Sequence, residues 1–183
     1  MDVYERQGEN MNHIVNDKLY IRNLTHADID VIIEEEIKQG WHPTKDKYLS
    51  RLNDANQKYC ISLVAIYDHQ VAGYINLYVD KKNGPYKETT IPEIIDLGVF
   101  KPYRQLGIAT ALIDVVEKIA KNYSKQIYLA VGLHEGYGSA QRLYVKKGYI
   151  PDGNGAYYKD SIATQYGTYP LDDDLVIYMI KDL

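Results

Sequence analysis

The sequence predicts an α/β (α+β) domain built on a mixed β-sheet. Three observations carry this. Apolar stretches of strand period alternate with stretches of helical period along the chain. A strand, an amphipathic helix and a second strand follow one another between Ile91 and Val131, which calls for a parallel crossover. A hairpin precedes that unit and calls for an antiparallel pair, so both pairings share one sheet. At 183 residues the chain suits a single domain.

The elements follow in order. Residues 1–17 have little periodicity and read as a flexible N-terminal arm, leaving 18–183 as the domain. Leu19–Asn23 reads as a short strand. Thr25 with Asp28 three residues on is a helix start, and Ile29, Ile32, Ile33 and Ile37 give that helix an apolar stripe ending at Gly40. Thr44–Asn53 forms a second helix with Tyr48, Leu49 and Leu52 on one face. Lys58–Tyr67 and Val71–Asp80 flank Asp68-His69-Gln70 as hairpin strands. The polar segment Lys81–Thr90 is a loop, and Ile91–Phe100 is a strand stopped by Lys101-Pro102. Ile108, Leu112, Val115 and Ile119 recur at helical spacing, Gln126–Val131 is a strand, and a helix over Gly138–Lys147 stops at Gly148. Tyr149 starts a strand running into a long loop over 151–170, rich in Gly and Tyr. Leu175–Ile180 is the last strand.

Composition narrows the function. A net charge of −4 gives no reason to expect a nucleic-acid partner. The single cysteine, Cys60, lies in an apolar run and reads as a buried strand residue, and no Cys/His spacing resembles a metal site. No apolar run approaches the ~20 residues that span a bilayer, so neither a membrane nor an exported location is expected and the protein reads as cytoplasmic. Tyrosine is over-used, 19 against one Phe and one Trp, and suits pocket walls and interfaces as well as cores.

The informative stretch is Leu97-Gly98-Val99-Phe100-Lys101-Pro102-Tyr103-Arg104-Gln105-Leu106-Gly107-Ile108-Ala109-Thr110. A strand ends, a short basic loop follows, and a helix begins at Gly107. Helix N-termini leave N–H groups unpaired and carry partial positive charge, which suits phosphate. Neither the Gly-Lys-Ser/Thr ending of a Walker loop nor three spaced dinucleotide glycines is present. Arg104-Gln105-Leu106-Gly107-Ile108-Ala109 resembles the acyl-CoA signature Gln/Arg-x-x-Gly-x-Gly/Ala of the GNAT superfamily of N-acetyltransferases. Ser139-Ala140-Gln141-Arg142-Leu143-Tyr144-Val145-Lys146-Lys147-Gly148-Tyr149 resembles that family's second helix.

The resemblance implies a mainly antiparallel sheet with helices on both faces and a parallel cofactor-binding unit. It implies acetyl-CoA, with the pyrophosphate on the amides of Gln105, Leu106, Gly107, Ile108 and Ala109, Thr110 nearby and Arg104 as countercharge. Pantetheine would run beside Leu97, Val99 and Phe100, with the Val99 N–H polarising the thioester. An amine must lose a proton to attack, and the resemblance points to Glu93 as the base. Asp96 and His134 are rivals; strand alternation sends Glu93 and Asp96 to opposite faces. Tyr144 would protonate the leaving thiolate. Tyr137 departs from the family pattern, which often has Asn there, and Ser139 is a candidate cap.

The expected reaction is acetyl transfer to a primary amine of a small, cationic molecule. Acetylation of a protein or peptide amine, or a non-catalytic acyl-CoA sensor, are the alternatives. Asp172-Asp173-Asp174 with Glu135 is a candidate acidic mouth. Tyr157, Tyr158, Tyr166 and Tyr169 are candidates for a pocket wall or a homodimer contact.

Overall fold

The computed structural model describes residues 11–81 and 83–183. One nine-stranded sheet runs in the order β1-β2-β3-β4-β5-β6-β9-β7-β8. Its strands are β1 (Asn12–Ile14), β2 (Leu19–Asn23), β3 (Cys60–Tyr67), β4 (Gln70–Tyr78), β5 (Glu93–Val99), β6 (Gln126–Gly132), β7 (Ile150–Tyr158), β8 (Ser161–Ile162) and β9 (Leu175–Asp182). Every pairing is antiparallel except β5 with β6. The helices are α1 (His26–Lys38), α2 (Lys45–Asn56), α3 (Ile108–Ala120) and α4 (Gly138–Lys146).

Helices cover both faces, unequally. On the first face, Ile108, Leu112, Ile113, Val115, Val116 and Ile119 of α3 pack with Leu63, Ile75, Leu77, Ile94, Ile127, Leu129 and Val131. Tyr144 of α4 joins this core. On the second face, Ile29 and Ile32 of α1 and Tyr48 of α2 pack with Val64, Ile66, Tyr74 and Phe100. Beyond α2, no helix among the described residues covers β6, β9 and β7 on this face. Tyr128, Tyr157 and Tyr178 are buried there, with Tyr86 and Ile91 against them. Tyrosine fits this place because each ring buries apolar area while its hydroxyl can stay bonded or wet.

Local chemistry sets the boundaries. In the β3–β4 hairpin both turn residues, Asp68 and His69, have positive φ (45° and 66°), as a tight two-residue turn requires. At the end of α4, Gly148 takes φ 89°, its N–H donates to the Val145 carbonyl, and the Tyr149 N–H donates to the Tyr144 carbonyl. That closure brings the Tyr149 ring to 5.9 Å from Tyr144.

Two expectations are corrected. Of the arm expected over 1–17, residues 1–10 lie outside the described residues, and Asn12–Ile14 form a strand paired with Tyr20, Ile21 and Arg22. Three residues are too few to show a period, but a neighbouring edge with free backbone groups suffices to order them. The loop expected over 151–170 contains most of β7 and all of β8. Pairing of β7 with β9 is interrupted between Pro151 and Ala156, where Gly153 and Gly155 take positive φ. The Gly and Pro that suggested a loop make a bulge in a strand.

At the start of α1, Arg22 grips Asp28 with both terminal nitrogens at 2.7 Å, and the Thr25 N–H and hydroxyl donate to the same carboxylate at 2.8 and 2.7 Å. Burial opposes ionisation of Asp28, but these partners outweigh it and hold its pKa below the ordinary aspartate value. Asp28→Ala should therefore lower stability at neutral pH by about 3 kcal/mol, measured by urea unfolding. A depressed pKa contributes stability above the unfolded-state value that is lost as pH falls through the folded one, so the gap should shrink in acid.

Candidate active site

The loop between β5 and α3 has an exposed backbone. A 3₁₀ turn (Lys101–Tyr103) follows β5, Gln105 takes φ 63°, and Gly107 takes φ 79° as the residue capping α3. A Cβ built on Gly107 would meet no protein atom within 4 Å. Glycine is needed there for the backbone angle, and the space in front of it is open. Arg104, Gln105, Leu106, Gly107 and Thr110 are exposed, while Ile108 anchors the helix in the core. The Arg104 Nε–H donates to the Val99 carbonyl at 3.2 Å, which ties the loop back to β5. The first-turn amides of α3 point out with the positive end of the helix, as a phosphate cradle requires.

Beside this cradle the sheet is split. The parallel strands pair only at Glu93 with Tyr128 and Ile94 with Leu129. Beyond these pairs β5 stays with β4 as far as Val99, and β6 stays with β9 as far as Gly132. Leu97 and Val99 lie on the split part of β5. Phe100 does not offer its backbone there. Its N–H donates to the Ala72 carbonyl at 3.0 Å and its ring is fully buried in the second-face core.

Glu93 and Asp96 share a face, against the expectation from simple alternation. Tyr78 pairs with Glu93 and Asn76 with Ile95, but Tyr74 pairs with Gly98, so β5 carries an extra residue. Asp96 takes φ 56° at this bulge, a conformation that Asp tolerates better than most side chains. The bulge turns Asp96 to the second face, where Arg51 holds it at 2.9 Å and Lys47 at 3.1 Å. Asp96 is thereby committed to ion pairs.

Glu93 forms part of the wall of a cavity of about 470 Å³, lined also by Arg51, Asp54, Tyr78, Lys81, Asp160 and Tyr178. Its Oε2 accepts from the Tyr128 hydroxyl at 2.7 Å. Burial pushes its pKa up, to about 7, despite the hydrogen bond and the nearby Lys81 and Arg51 charges that favour the carboxylate. A carboxyl that titrates near neutrality is matched to taking a proton from an amine. Arg51 also donates to the Tyr78 hydroxyl at 2.8 Å, which donates to Asp54 at 2.6 Å, so the wall is a connected network.

Tyr144 approaches from the first face. It is 6% exposed, and burial raises its pKa, so the hydroxyl keeps its proton through the neutral range. The Gln141 side chain donates to the Gly132 carbonyl at 2.7 Å and pins α4 to the end of β6. His134 is occupied elsewhere. It contacts Asp173 at 2.9 Å, its ring stacks edge-on to Tyr137 at 4.7 Å, and Tyr137 also donates to Asp173 at 3.1 Å. The Asp172 carboxylate accepts from Tyr158 at 3.3 Å. Two of the three aspartates thus bond neighbouring side chains. α4 begins at Gly138, so Ser139 lies inside the helix. Among the described residues no group of three or more His, Cys, Asp or Glu is placed to hold a metal ion, and no helix is long and apolar enough to cross a membrane.

A family model described as the acetyltransferase (GNAT) family matches residues 28–149. The chain belongs to the GNAT acetyltransferase family. It is an acetyltransferase with acetyl-CoA as acetyl donor. An N-alpha-acetyltransferase of Saccharolobus solfataricus is 29% identical over 153 residues, covering 75% of this chain and 89% of that protein. N-alpha-acetyltransferase 60 of Xenopus tropicalis is 28% identical over 129 residues, 61% of this chain and only 52% of that protein. The solved structure of yncA, a putative acetyltransferase from Salmonella typhimurium with its cofactor acetyl-CoA, shares the fold with a TM-score of 0.65 at 14% identity, covering 91% and 94% of the two chains.

Sequence reasoning missed Arg51, Tyr78, Lys81, Tyr128 and Tyr178. Only Tyr128 carried a signal. Ile127, Leu129 and Val131 alternate with Tyr128 and Ala130, so a tyrosine faces away from the α3 core. The others depend on register and on loop path.

Two outcomes follow. Gly107→Trp should abolish acetyl-CoA binding by calorimetry while the variant stays folded; the backbone angle costs it about 1–2 kcal/mol, read from unfolding without ligand. Glu93→Gln should gain stability over the wild type as pH rises from about 5 to about 8, by up to about 3 kcal/mol. The raised folded-state pKa means the wild type is undisturbed in acid and loses stability as pH climbs through about 7.

Proposed function

We propose that this acetyltransferase modifies the α-amine at the N-terminus of a protein or peptide. The observation that carries the reading is the open cavity of about 470 Å³ walled by Glu93, on the sheet face opposite Tyr144. It has room for an amine with the first side chain of a peptide, and its open mouth leaves the rest of the chain outside. The relatives named N-alpha-acetyltransferases support it over a small-molecule acceptor. The second reading, a small cationic amine, is favoured by Asp54, Asp80 and Asp160 at the cavity wall.

Acetyl-CoA supplies an activated thioester. The amides from Gln105 to Ala109, with Thr110, hold its pyrophosphate, and Arg104 adds countercharge. The split edge of β5 at Leu97 and Val99 guides the pantetheine arm, and the Val99 N–H polarises the acetyl carbonyl. Glu93 takes the proton from the amine, directly or through one water, as the nitrogen forms its bond to the acetyl carbon. The carbon–sulfur bond breaks, and Tyr144 gives its proton to the departing sulfur. Base and acid on opposite faces suit this order, because the amine enters and the thiolate leaves on opposite sides of the split.

A panel of short peptides with free N-termini, their N-blocked forms and polyamines tests the acceptor by acetyl-CoA turnover. The free-N-terminus peptides should turn over at least about tenfold faster in kcat/KM than the blocked forms or the polyamines, a difference of about 1.4 kcal/mol in transition-state binding. Faster polyamine turnover would move the assignment to the second reading. The kcat/KM profile should rise with pH through about 7 and lose that limb in Glu93→Gln. Tyr144→Phe should lower kcat by about 10²-fold or more with little change in KM.

A further inference from the structure

Tyr128 and Lys81 sit at Glu93 and have no part in the steps above. The Tyr128 side chain is fully buried on β6, on the face away from α3, and its hydroxyl donates to Glu93 Oε2 at 2.7 Å. Above its ring stands the Lys81 ammonium, 5.0 Å from the centroid. Lys81 is only 8% exposed and donates to the Ile91 carbonyl, two residues before Glu93. Tyr86 packs its ring 4.6 Å from Tyr128. A Cβ on Gly84 would come within 3.7 Å of the Tyr128 hydroxyl and 3.9 Å of Glu93 Oε2, so the loop backbone closes over this oxygen. Tyr128 and the loop backbone at Gly84 therefore both lie against the same carboxylate oxygen.

We propose that Tyr128, capped by the Lys81 ammonium, is the positioning residue for Glu93: its hydroxyl fixes Oε2 and presents Oε1 to the acceptor amine. The proposal rests on Glu93 being the base. Tying one oxygen restricts rotation of the carboxylate and leaves the lone pairs of the other oxygen as the freer sites for the incoming proton. The hydrogen bond and the ammonium both favour the charged form. Arg51 on α2 acts in the same direction, and Asp160 in the β7–β8 turn acts against it. Asp80 also borders the cavity, while Tyr78 on β4 and Tyr178 on β9 bring only uncharged hydroxyls. Without Tyr128 and Lys81, burial would hold the proton on the carboxyl to higher pH, and the base would act only there.

The test titrates the side-chain carboxyls of ¹³C-labelled protein by NMR, with the Glu93 signal assigned by its loss in Glu93→Gln. Wild type, Tyr128→Phe and Lys81→Met are compared, and kcat/KM against pH is measured for each with a free-N-terminus peptide. Phe keeps the ring and Met keeps the stem, so packing persists, and unfolding curves confirm it. The Glu93 midpoint should rise by about one pH unit in Tyr128→Phe, and the acid limb of kcat/KM should move with it. Lys81→Met should move both in the same direction, and KM for acetyl-CoA should not change in either. If Tyr128→Phe leaves midpoint and limb in place while Glu93→Gln removes the limb, the positioning role is wrong and the base assignment stands. If Glu93→Gln keeps the limb, the base assignment itself fails and takes the positioning role with it.

Discussion

Two residue pairs, Glu93 with Tyr128 and Ile94 with Leu129, are all that join the parallel strands β5 and β6. Everything at the site depends on how little pairing that is. Each strand is held by its other neighbour, β5 by β4 apart from the bulge and β6 by β9, so past the two pairs each keeps the half of its backbone bonds that face away from the split. The bulge at Asp96, the Phe100 N–H on Ala72 and the Gln141 side chain on Gly132 keep the two ends apart. A sheet of this length would ordinarily zip closed. Here β5 and β6 part after two pairs between antiparallel pairing on both flanks, with the turn into α3 on one face of the sheet and the Glu93 cavity on the other.

The two faces then divide the chemistry. The first face carries a helix whose N-terminus is a fixed positive pole and whose apolar side fills the core. The second face lacks helical cover over β6, β9 and β7, and tyrosines close it instead. A helix there would have covered Glu93. Rings with hydroxyl tips bury the sheet there, and Tyr178 among them borders the cavity. The tyrosine excess in the composition is to that extent a consequence of the site.

Legibility followed the range of the interactions. The turn into α3 was readable because Arg104 to Thr110 are shaped by local backbone geometry, and glycine at a left-handed position is visible in the sequence itself. The α3 stripe and the parallel unit were readable for the same reason. Asp96 was misplaced because a bulge adds one residue to a period of two, and no composition marks it. Phe100 looked available to a ligand because strand period says nothing of which neighbour takes an N–H. β1, β8 and the length of β7 were missed because their order comes from partner edges far along the chain. Arg51 and Lys81 reach the cavity from a helix and a loop whose path only the folded chain defines.

The balance at Glu93 shows why those long-range partners matter for function. Burial raises its pKa and Lys81, Arg51 and the Tyr128 hydroxyl draw it back, leaving the group near neutrality. Fuller burial would keep the proton on the carboxyl, and fuller exposure would leave a weak base. Intermediate basicity therefore requires the slot to stay partly covered, and the loop that carries Lys81 and Gly84 provides that cover. The same loop bounds the cavity, so the basicity of Glu93 and the shape of the cavity are set by one segment. Any ligand that displaced this loop would therefore also change the proton affinity of Glu93.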